Sequence, residues 1–237
     1  IQGCPMVVSV MPNDDSILSS GRMLDQDKTR GSLELASSLG ADYAEIRLVS
    51  ETTNTASLKD GKLERAIPGQ EVGVTLRILA NGAWGVHSTS DITSIHQQIE
   101  STVRLAKAVA ARRSSSELPV QLAEVPIIQD EIHWKSVKDV RDTDLDTRIE
   151  MMQAVDEEAK DDDRIVATST GWSDEHIHTE LMTSEGMDRV WSFQRSLING
   201  MVTARSDGEV VSYRMRHGGE GGLELIEAID LGEMGRN

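Results

Sequence analysis

Two pairs of glycine-containing turns, almost equally spaced, constrain the fold of this chain more than any other feature. Gly61 and Gly82 lie 21 residues apart in the first half, and Gly186 and Gly208 lie 22 residues apart in the second. Three of these glycines follow Asp or Asn, as two-residue β-hairpin turns favour, because both turn residues need positive φ. Each pair belongs to a run of predicted strands after a predicted helix. The sequence therefore indicates an internal duplication of a helix-plus-antiparallel-sheet unit.

Apolar periodicity predicts the helices and strands of each unit. A helix is predicted over about residues 24–39, with Gly40 as its natural stop. A second helix is predicted from the apolar residues between Ile92 and Ala110, and a third begins near Asp144. Strict alternation of apolar residues over 72–78 predicts a strand.

These elements predict an α+β fold of two duplicated subdomains, each a helix packed on a mostly antiparallel sheet. Four segments follow: a ragged or disordered start at 1–22, a first subdomain at 23–112, a connector at 113–143 and a second subdomain at 144–237. The connector is defined by Ser, Pro and short apolar runs, which favour irregular structure.

Composition excludes several classes of function. The net charge of −16 opposes direct nucleic-acid binding and docking on an anionic membrane, because both partners are negatively charged. A single cysteine, Cys4, rules out an internal disulfide and a Cys-rich zinc site. No apolar run approaches the ~20 residues that span a bilayer, and the first residues do not resemble a signal peptide. The expected location is cytoplasmic, and the four tryptophans are expected to serve core or subdomain packing rather than a stacking platform.

The stretch 174–178, "DEHIH", is rich in potential metal ligands. In a strand, His176 and His178 point to one side and Ile177 to the other, so the two imidazoles could share a metal ion. A site needs at least one further protein ligand. The available residues have no regular spacing: His217, Glu175 and Glu180. The competing interpretation is an exposed strand face with Ile177 and Leu181 turned inward, and we assign no metal ligand here.

Other motifs of catalysis and binding do not occur. The sequence contains no GxGxxG, GxxxxGK[ST], GxSxG or HExxH. The glycine-rich stretch 217–222, "HGGEGG", could let the backbone approach a ligand, but it is better interpreted as a flexible junction before a final helix. No catalytic residue is assigned from the sequence.

Several segments together resemble the amino-terminal region of the TldD/PmbA family, which is related to metallopeptidases and was once called modulator of DNA gyrase. The segments are "GADYAEIRLVSE", "LKDGKLERA", "GVTLRILANGAWGVHSTSD", "MTSEG" and "GGEGGLE". The resemblance extends from Leu24 to Ile229 and is most specific over 40–91. The run 42–47 and the turn 82–85 are more similar to the TldD branch than to the PmbA branch.

The resemblance implies a fold and an activity but carries no catalytic residue into this chain. TldD-like members have a zinc site with an HExxxH motif in their carboxy-terminal half, whereas PmbA-like members share the fold and lack the ligands. No HExxxH occurs in these 237 residues. The second subdomain is therefore expected to be truncated before the metal-binding half, so zinc is implied for the parent protein and no cofactor for this chain.

Two roles follow from the resemblance. The first is the non-catalytic amino-terminal part of a TldD-type zinc metallopeptidase acting on peptides or unfolded segments. The second is a PmbA-like, non-enzymatic partner subunit of such a peptidase. Both imply a peptide substrate and a homo- or heterodimer with a family member. The family-like turn Ser184-Glu185-Gly186 is the expected peptide or partner contact.

Overall fold

The structure is a computed structural model that describes residues 22–114 and 116–236. The predicted ragged start at 1–22 lies outside these residues apart from Arg22, and so does Cys4. Within the described part of the chain, no helix is long and apolar enough to cross a membrane.

Within the described residues, seven strands form one sheet. They are β1 (Tyr43–Lys59), β2 (Lys62–Ala80), β3 (Ala83–Thr89), β4 (Gln129–His133), β5 (Ile165–Thr183), β6 (Asp188–Ser206) and β7 (Glu209–Glu220). The strand order is β3-β2-β1-β5-β6-β4, and β7 pairs with β6 alongside the part of that strand that β4 leaves free. All neighbours are antiparallel except β4 and β6.

In the part of the chain that the structure describes, five α-helices accompany the sheet. They are α1 (Gln26–Ser38), α2 (Ile99–Arg112), α3 (Leu145–Ala159), α4 (Glu224–Glu227) and α5 (Leu231–Arg236). The predicted third helix is confirmed at its cap, because the Asp144 carboxylate accepts from the Thr147 amide at 2.7 Å. The second predicted helix begins with a 3-10 turn over Ile95–Gln98 before it becomes α2.

The predicted α+β class, with helices packed on a mostly antiparallel sheet in each half, is confirmed. Both halves have the same order of elements, which is a helix, three strands joined by tight turns, and a further helix. The sequence does not reveal that the two halves share a sheet. β1 pairs with β5 from Glu45–Thr183 to Lys59–Ser169, so one ladder joins the halves. The subdomain boundaries remain a prediction, and β4 lies within the predicted connector.

Two hydrophobic clusters lie on one face of the sheet. Ile46 and Leu48 of β1 belong to the first, and Ala56 and Leu58 of the same strand belong to the second. Side chains two residues apart share a face, so both clusters cover the same side. The first cluster packs beneath α1 and α2, and the second packs beneath α3 and α4. We call this side the helix-covered face and the other the helix-free face.

The predicted hairpin turns are confirmed by their backbone. Asp60, Asn81 and Asp207 have φ of 50°, 53° and 51°, and each precedes a glycine that also has positive φ. The prediction of a flexible junction at 217–222 is wrong for its first four residues, because they form the end of β7. Gly218 there has a φ of 146° and passes so close to the Ser196 carbonyl that a Cβ would overlap it.

The tryptophans do not all enter the core. Trp172 is 2% exposed in the second cluster, as predicted. Trp134 is 61% exposed, and Trp84 and Trp191 are half-buried. Core packing is therefore confirmed for one of the four residues.

Candidate functional site

A groove of about 450 Å³ lies between α1 and the turn that joins β5 to β6. Its walls combine charged, polar and apolar side chains. Arg30 and Glu34 come from α1, and Met182, Ser184 and Gly186 come from the strand end and the turn. A groove with this mixture can hold an extended peptide, because a peptide offers backbone hydrogen bonds and apolar side chains together.

Hydrogen bonds fix the turn that forms one wall. The Ser184 amide donates to the Ala44 carbonyl at 2.8 Å, and the Ser184 hydroxyl accepts from the Ala44 amide at 2.9 Å. The Gly186 carbonyl accepts from Gln129 Nε2 at 2.9 Å, and Gly186 itself has a φ of 99°. The turn is therefore held to the first strand on one side and to the start of β4 on the other.

Two of the three residues predicted to contact a peptide or partner line this groove. Ser184 and Gly186 are in its wall, whereas Glu185 is exposed at the tip of the turn and does not line it. The α1 side of the groove was not found from the sequence, because nothing in the spacing of Arg30 and Glu34 distinguishes them from other charged residues on an exposed helix face.

Arg22 pairs with Asp188, a residue of the groove lining, and with Glu131. Arg22 Nη1 lies 2.6 Å from Asp188 Oδ1, and Arg22 Nε lies 3.0 Å from Glu131 Oε1. The two contacts of Arg22 join the segment before α1 to β4 and β6. With Asp188 paired in this way, Arg30 and Glu34 leave the groove lining charge-balanced, which suits a zwitterionic peptide better than a polyanion.

His176 and His178 lie on the helix-covered face, between the two hydrophobic clusters. The alternation with Ile177 is as predicted, but Ile177 and Leu181 both face the helix-free side, where Leu181 is buried and Ile177 is half-buried. His178 Nε2 is 3.0 Å from Glu180 Oε1. Burial, together with the nearby Arg141 charge, lowers the pKa of His176 to about 4. His176 is therefore neutral at pH 7.

The residues present do not form a metal site. Within 22–114 and 116–236, no three His, Cys, Asp or Glu side chains are placed to bind one ion. Of the possible third ligands, Glu175 points to the opposite face and pairs with Arg195 at 2.9 Å. The Glu180 carboxylate accepts from the Leu24 amide at 3.1 Å besides contacting His178. His217 Nε2 is 3.2 Å from the Leu225 carbonyl.

A buried polar network lies next to the histidines and was missed from the sequence. Asp174 Oδ2 accepts from Arg148 Nε at 2.7 Å and from Trp172 Nε1 at 2.6 Å. Its other oxygen accepts from Asn54 Nδ2 at 2.9 Å. Arg148 also donates to the Val140 carbonyl at 2.8 Å. The network connects α3, β5 and β1 on the helix-covered face between the two clusters. The sequence offered one signal: Asp174 lies two residues before His176, so the two side chains share a face of the strand.

Comparison with solved structures identifies the fold. The fold matches a Thermotoga maritima protein solved as a candidate modulator of a DNA gyrase, with a TM-score of 0.67 and 16% identity over 89% of this chain and 46% of that chain. It matches TldE from Thermococcus kodakarensis with a TM-score of 0.64 and 15% identity, over 88% and 46% of the two chains. These matches show the fold.

Comparison of sequences then shows the family. The profile of PmbA/TldA metallopeptidase domain 1 matches residues 44–110, and that of the PmbA/TldA metallopeptidase central domain matches residues 138–237. The chain belongs to the PmbA/TldD family. A metalloprotease of Methanocaldococcus jannaschii is 30% identical over 202 residues, which are 84% of this chain and 43% of that protein. The chain thus spans less than half the length of this relative.

Proposed function

We propose that this chain is the amino-terminal, non-catalytic part of a TldD-type zinc metallopeptidase that acts on peptides or unfolded segments in the cytoplasm. The match to the first and central domains of a metallopeptidase family carries the proposal. The described residues hold no set of metal ligands. In this proposal, zinc and the water-activating carboxylate belong to another part of the parent protein.

In this proposal the groove beside the β5–β6 turn guides the peptide. Its charge-balanced walls and mixed lining support contact with a main chain of variable sequence. In the turn Ser184-Glu185-Gly186, Ser184 and Gly186 contact the peptide, and the exposed Glu185 is available to the partner. The chain works as a dimer with a second family member, which is either the same protein or a homologue.

The second proposal is a PmbA-like, non-enzymatic partner subunit of such a peptidase. The similarity in fold to TldE supports it. Both proposals give this chain the same scaffold role. The two proposals differ in whether the polypeptide that contains this scaffold also carries the HExxxH motif.

Metal analysis and peptidase assays test the shared part of the two proposals. We expect the purified 237-residue chain, dialysed against buffer, to retain no stoichiometric zinc and to cleave no peptide. Adding a family member that carries HExxxH should give a 1:1 complex that cleaves unfolded substrates. Stoichiometric zinc or cleavage with this chain alone would overturn both proposals. The coding sequence next to the Asn237 codon separates them, because only the TldD type places HExxxH in frame.

A further inference from the structure

Basic side chains gather at one end of the helix-free face, although the chain as a whole is acidic. Five of them lie towards the end of the sheet away from the groove: Lys59, Arg65, Arg205, Arg214 and Arg216. All five are exposed, and none forms an ion pair or a side-chain hydrogen bond with another described residue. In a chain of net charge −16, such a group indicates a surface that meets an anion. We call these five residues the cationic surface.

Strand register places two of the arginines on opposite sides of a low floor. One cross-strand row runs through five strands, in the order Arg65, Ser57, Gly171, Asn199 and Arg216. At ~4.8 Å between strands, the Cα atoms of the two arginines are about 19 Å apart. The residues between them have short side chains or none. The guanidinium groups therefore stand on both sides of a shallow trough that is wide enough for an extended peptide.

The next row repeats this arrangement. It runs through four strands, in the order Lys59, Ser169, Met201 and Arg214. A second pair of cations therefore lies on the same two sides of the trough. Because Arg214 and Arg216 are two residues apart on β7, their Cα atoms are separated by about 6.8 Å. Side chains at positions i and i+2 of an extended peptide have the same separation, so the spacing of the arginines matches carboxylates on alternate residues.

Acidic side chains offset only part of this positive charge. Glu64 is exposed beside Arg65, where the register between β1 and β2 shifts. Glu175 and Glu220 lie two rows beyond Asn199, and both pair with Arg195, at 2.9 Å and 3.3 Å. The five cations therefore exceed the carboxylate beside them, and the trough has a positive potential.

The surroundings favour a short acidic peptide over a nucleic acid. The rest of the chain is acidic, so a polyanion longer than the trough would be repelled where it leaves the trough. Single-stranded nucleic acids also bind by stacking bases on aromatic side chains. The two rows contain no aromatic residue, and Tyr213 of β7 lies on the helix-covered face, opposite Val202. An arginine fork binds a carboxylate through two parallel hydrogen bonds, which an acidic peptide supplies.

We propose that the cationic surface binds a run of aspartate or glutamate residues in an extended part of the substrate. The inference rests on the proposed function, which makes the ligand a peptide, and it adds the charge of that peptide. Gly171 in the trough and Thr183 in the groove are about 41 Å apart along β5, at ~3.4 Å per residue. The two sites lie on opposite faces, so an unfolded segment needs at least about 15 residues to reach both.

Fluorescence anisotropy on the full 237-residue chain tests the proposal. The probe is a fluorescein-labelled oligoglutamate peptide of about eight residues, ~27 Å long when extended. We expect binding that weakens at least about fivefold between about 50 and 300 mM NaCl, because salt screens the charge pairs. Arg214→Glu/Arg216→Glu and Lys59→Glu/Arg65→Glu should each weaken binding at least about tenfold, because each double variant reverses the charge on one side of the trough.

The double variant Arg104→Glu/Arg112→Glu is the matched control. Both residues are exposed on α2, on the other side of the sheet, and the net charge changes by the same amount. This variant should bind the probe within about twofold of the original chain, because the distant charges are screened. An oligoserine peptide of the same length should not bind. Circular dichroism checks that each variant is folded.

Absence of binding up to about 100 µM oligoglutamate would overturn the proposal. So would equal weakening in the control and in the two charge-reversed variants. Tighter binding of a single-stranded oligothymidylate of the same length would also overturn it, and would assign the surface to a nucleic acid. These outcomes leave the peptidase proposal standing, because none of them measures zinc or cleavage. Stoichiometric zinc or cleavage by the chain alone would instead remove that proposal and leave the binding of acidic peptides.

Discussion

Asp174 connects α3, β5 and β1 in the middle of the molecule. It is 1% exposed and accepts hydrogen bonds from Arg148, Trp172 and Asn54. Removing one partner of a buried ion pair leaves the other charge without compensation, at a cost of about 3–5 kcal/mol. We expect Asp174→Ala to lower the free energy of unfolding in urea by about that amount.

Asp162→Ala is the matched control for this prediction. Asp162 also pairs with an arginine, Arg164, but the pair is exposed and joins residues two apart. Such a pair contributes little, so the free energy of unfolding should stay nearly unchanged. A similar loss in both variants would show that burial of Asp174 is unimportant.

His176 should make stability depend on pH in a defined window. Its pKa is lowered to about 4 in the folded state by burial, against an ordinary value of 6.5. The unfolded chain therefore binds a proton first, and stability present above pH 6.5 is lost as the pH falls towards 4. We expect the free energy of unfolding to fall by about 1 kcal/mol over this window, after discounting for partial exposure.

Replacing His176 tests the assignment. The variant His176→Gln keeps the approximate size of the side chain and cannot titrate, so its stability should vary less between pH 6.5 and 4 than that of the original chain. Asp139, whose pKa of about 2 reflects hydrogen bonds from Arg141 that outweigh its burial, loses its contribution only below pH 4. An unchanged slope in the variant would assign the dependence to other groups.

At the scale of elements, the contact between α2 and β3 depends on Gly85. A Cβ at this position would overlap the Thr102 carbonyl and lie 3.0 Å from the Ala106 amide nitrogen. Because both atoms belong to the helix backbone, α2 must move to admit a methyl group. We expect Gly85→Ala to lower the free energy of unfolding by about 1–3 kcal/mol, measured by chemical denaturation.

Gly31 provides a control of opposite sign. It lies in α1, it is exposed, and a Cβ there would meet nothing within 4 Å. Gly31→Ala should stabilise the protein by about 0.5–1 kcal/mol, because alanine loses less backbone entropy in a helix. Equal destabilisation by both substitutions would contradict the role assigned to Gly85.

The elements that local chemistry specifies could be predicted. The turn at Asp60 requires positive φ, and the cap at Asp144 satisfies amides at the start of α3, so both have sequence signals. The parallel pairing of β4 with β6 has none, because it joins residues 59 positions apart in register, such as Gln129 and Asp188. The groove wall from α1 and the partners of Asp174 depend on the same long-range packing.

At the scale of the whole molecule, the net charge of −16 opposes compactness. Self-repulsion among acidic groups destabilises a folded chain, and salt screens it. We expect the melting temperature to rise by about 2–4 °C between low salt and 0.3 M NaCl, which corresponds to about 1 kcal/mol for a chain of this size. An equal rise in KCl would identify screening, whereas a fall would show that surface ion pairs dominate.

The long first strand has a consequence for cleavage of the chain. β1 contributes Ile46 to one hydrophobic cluster and Leu58 to the other, and it shares an unbroken ladder with β5. A protease that cuts within residues 116–128, which are exposed apart from Ile128, should therefore leave two pieces bound to each other in native buffer. They should migrate separately only in denaturing electrophoresis, because the β1–β5 ladder holds the two halves together without the peptide bond that was cut.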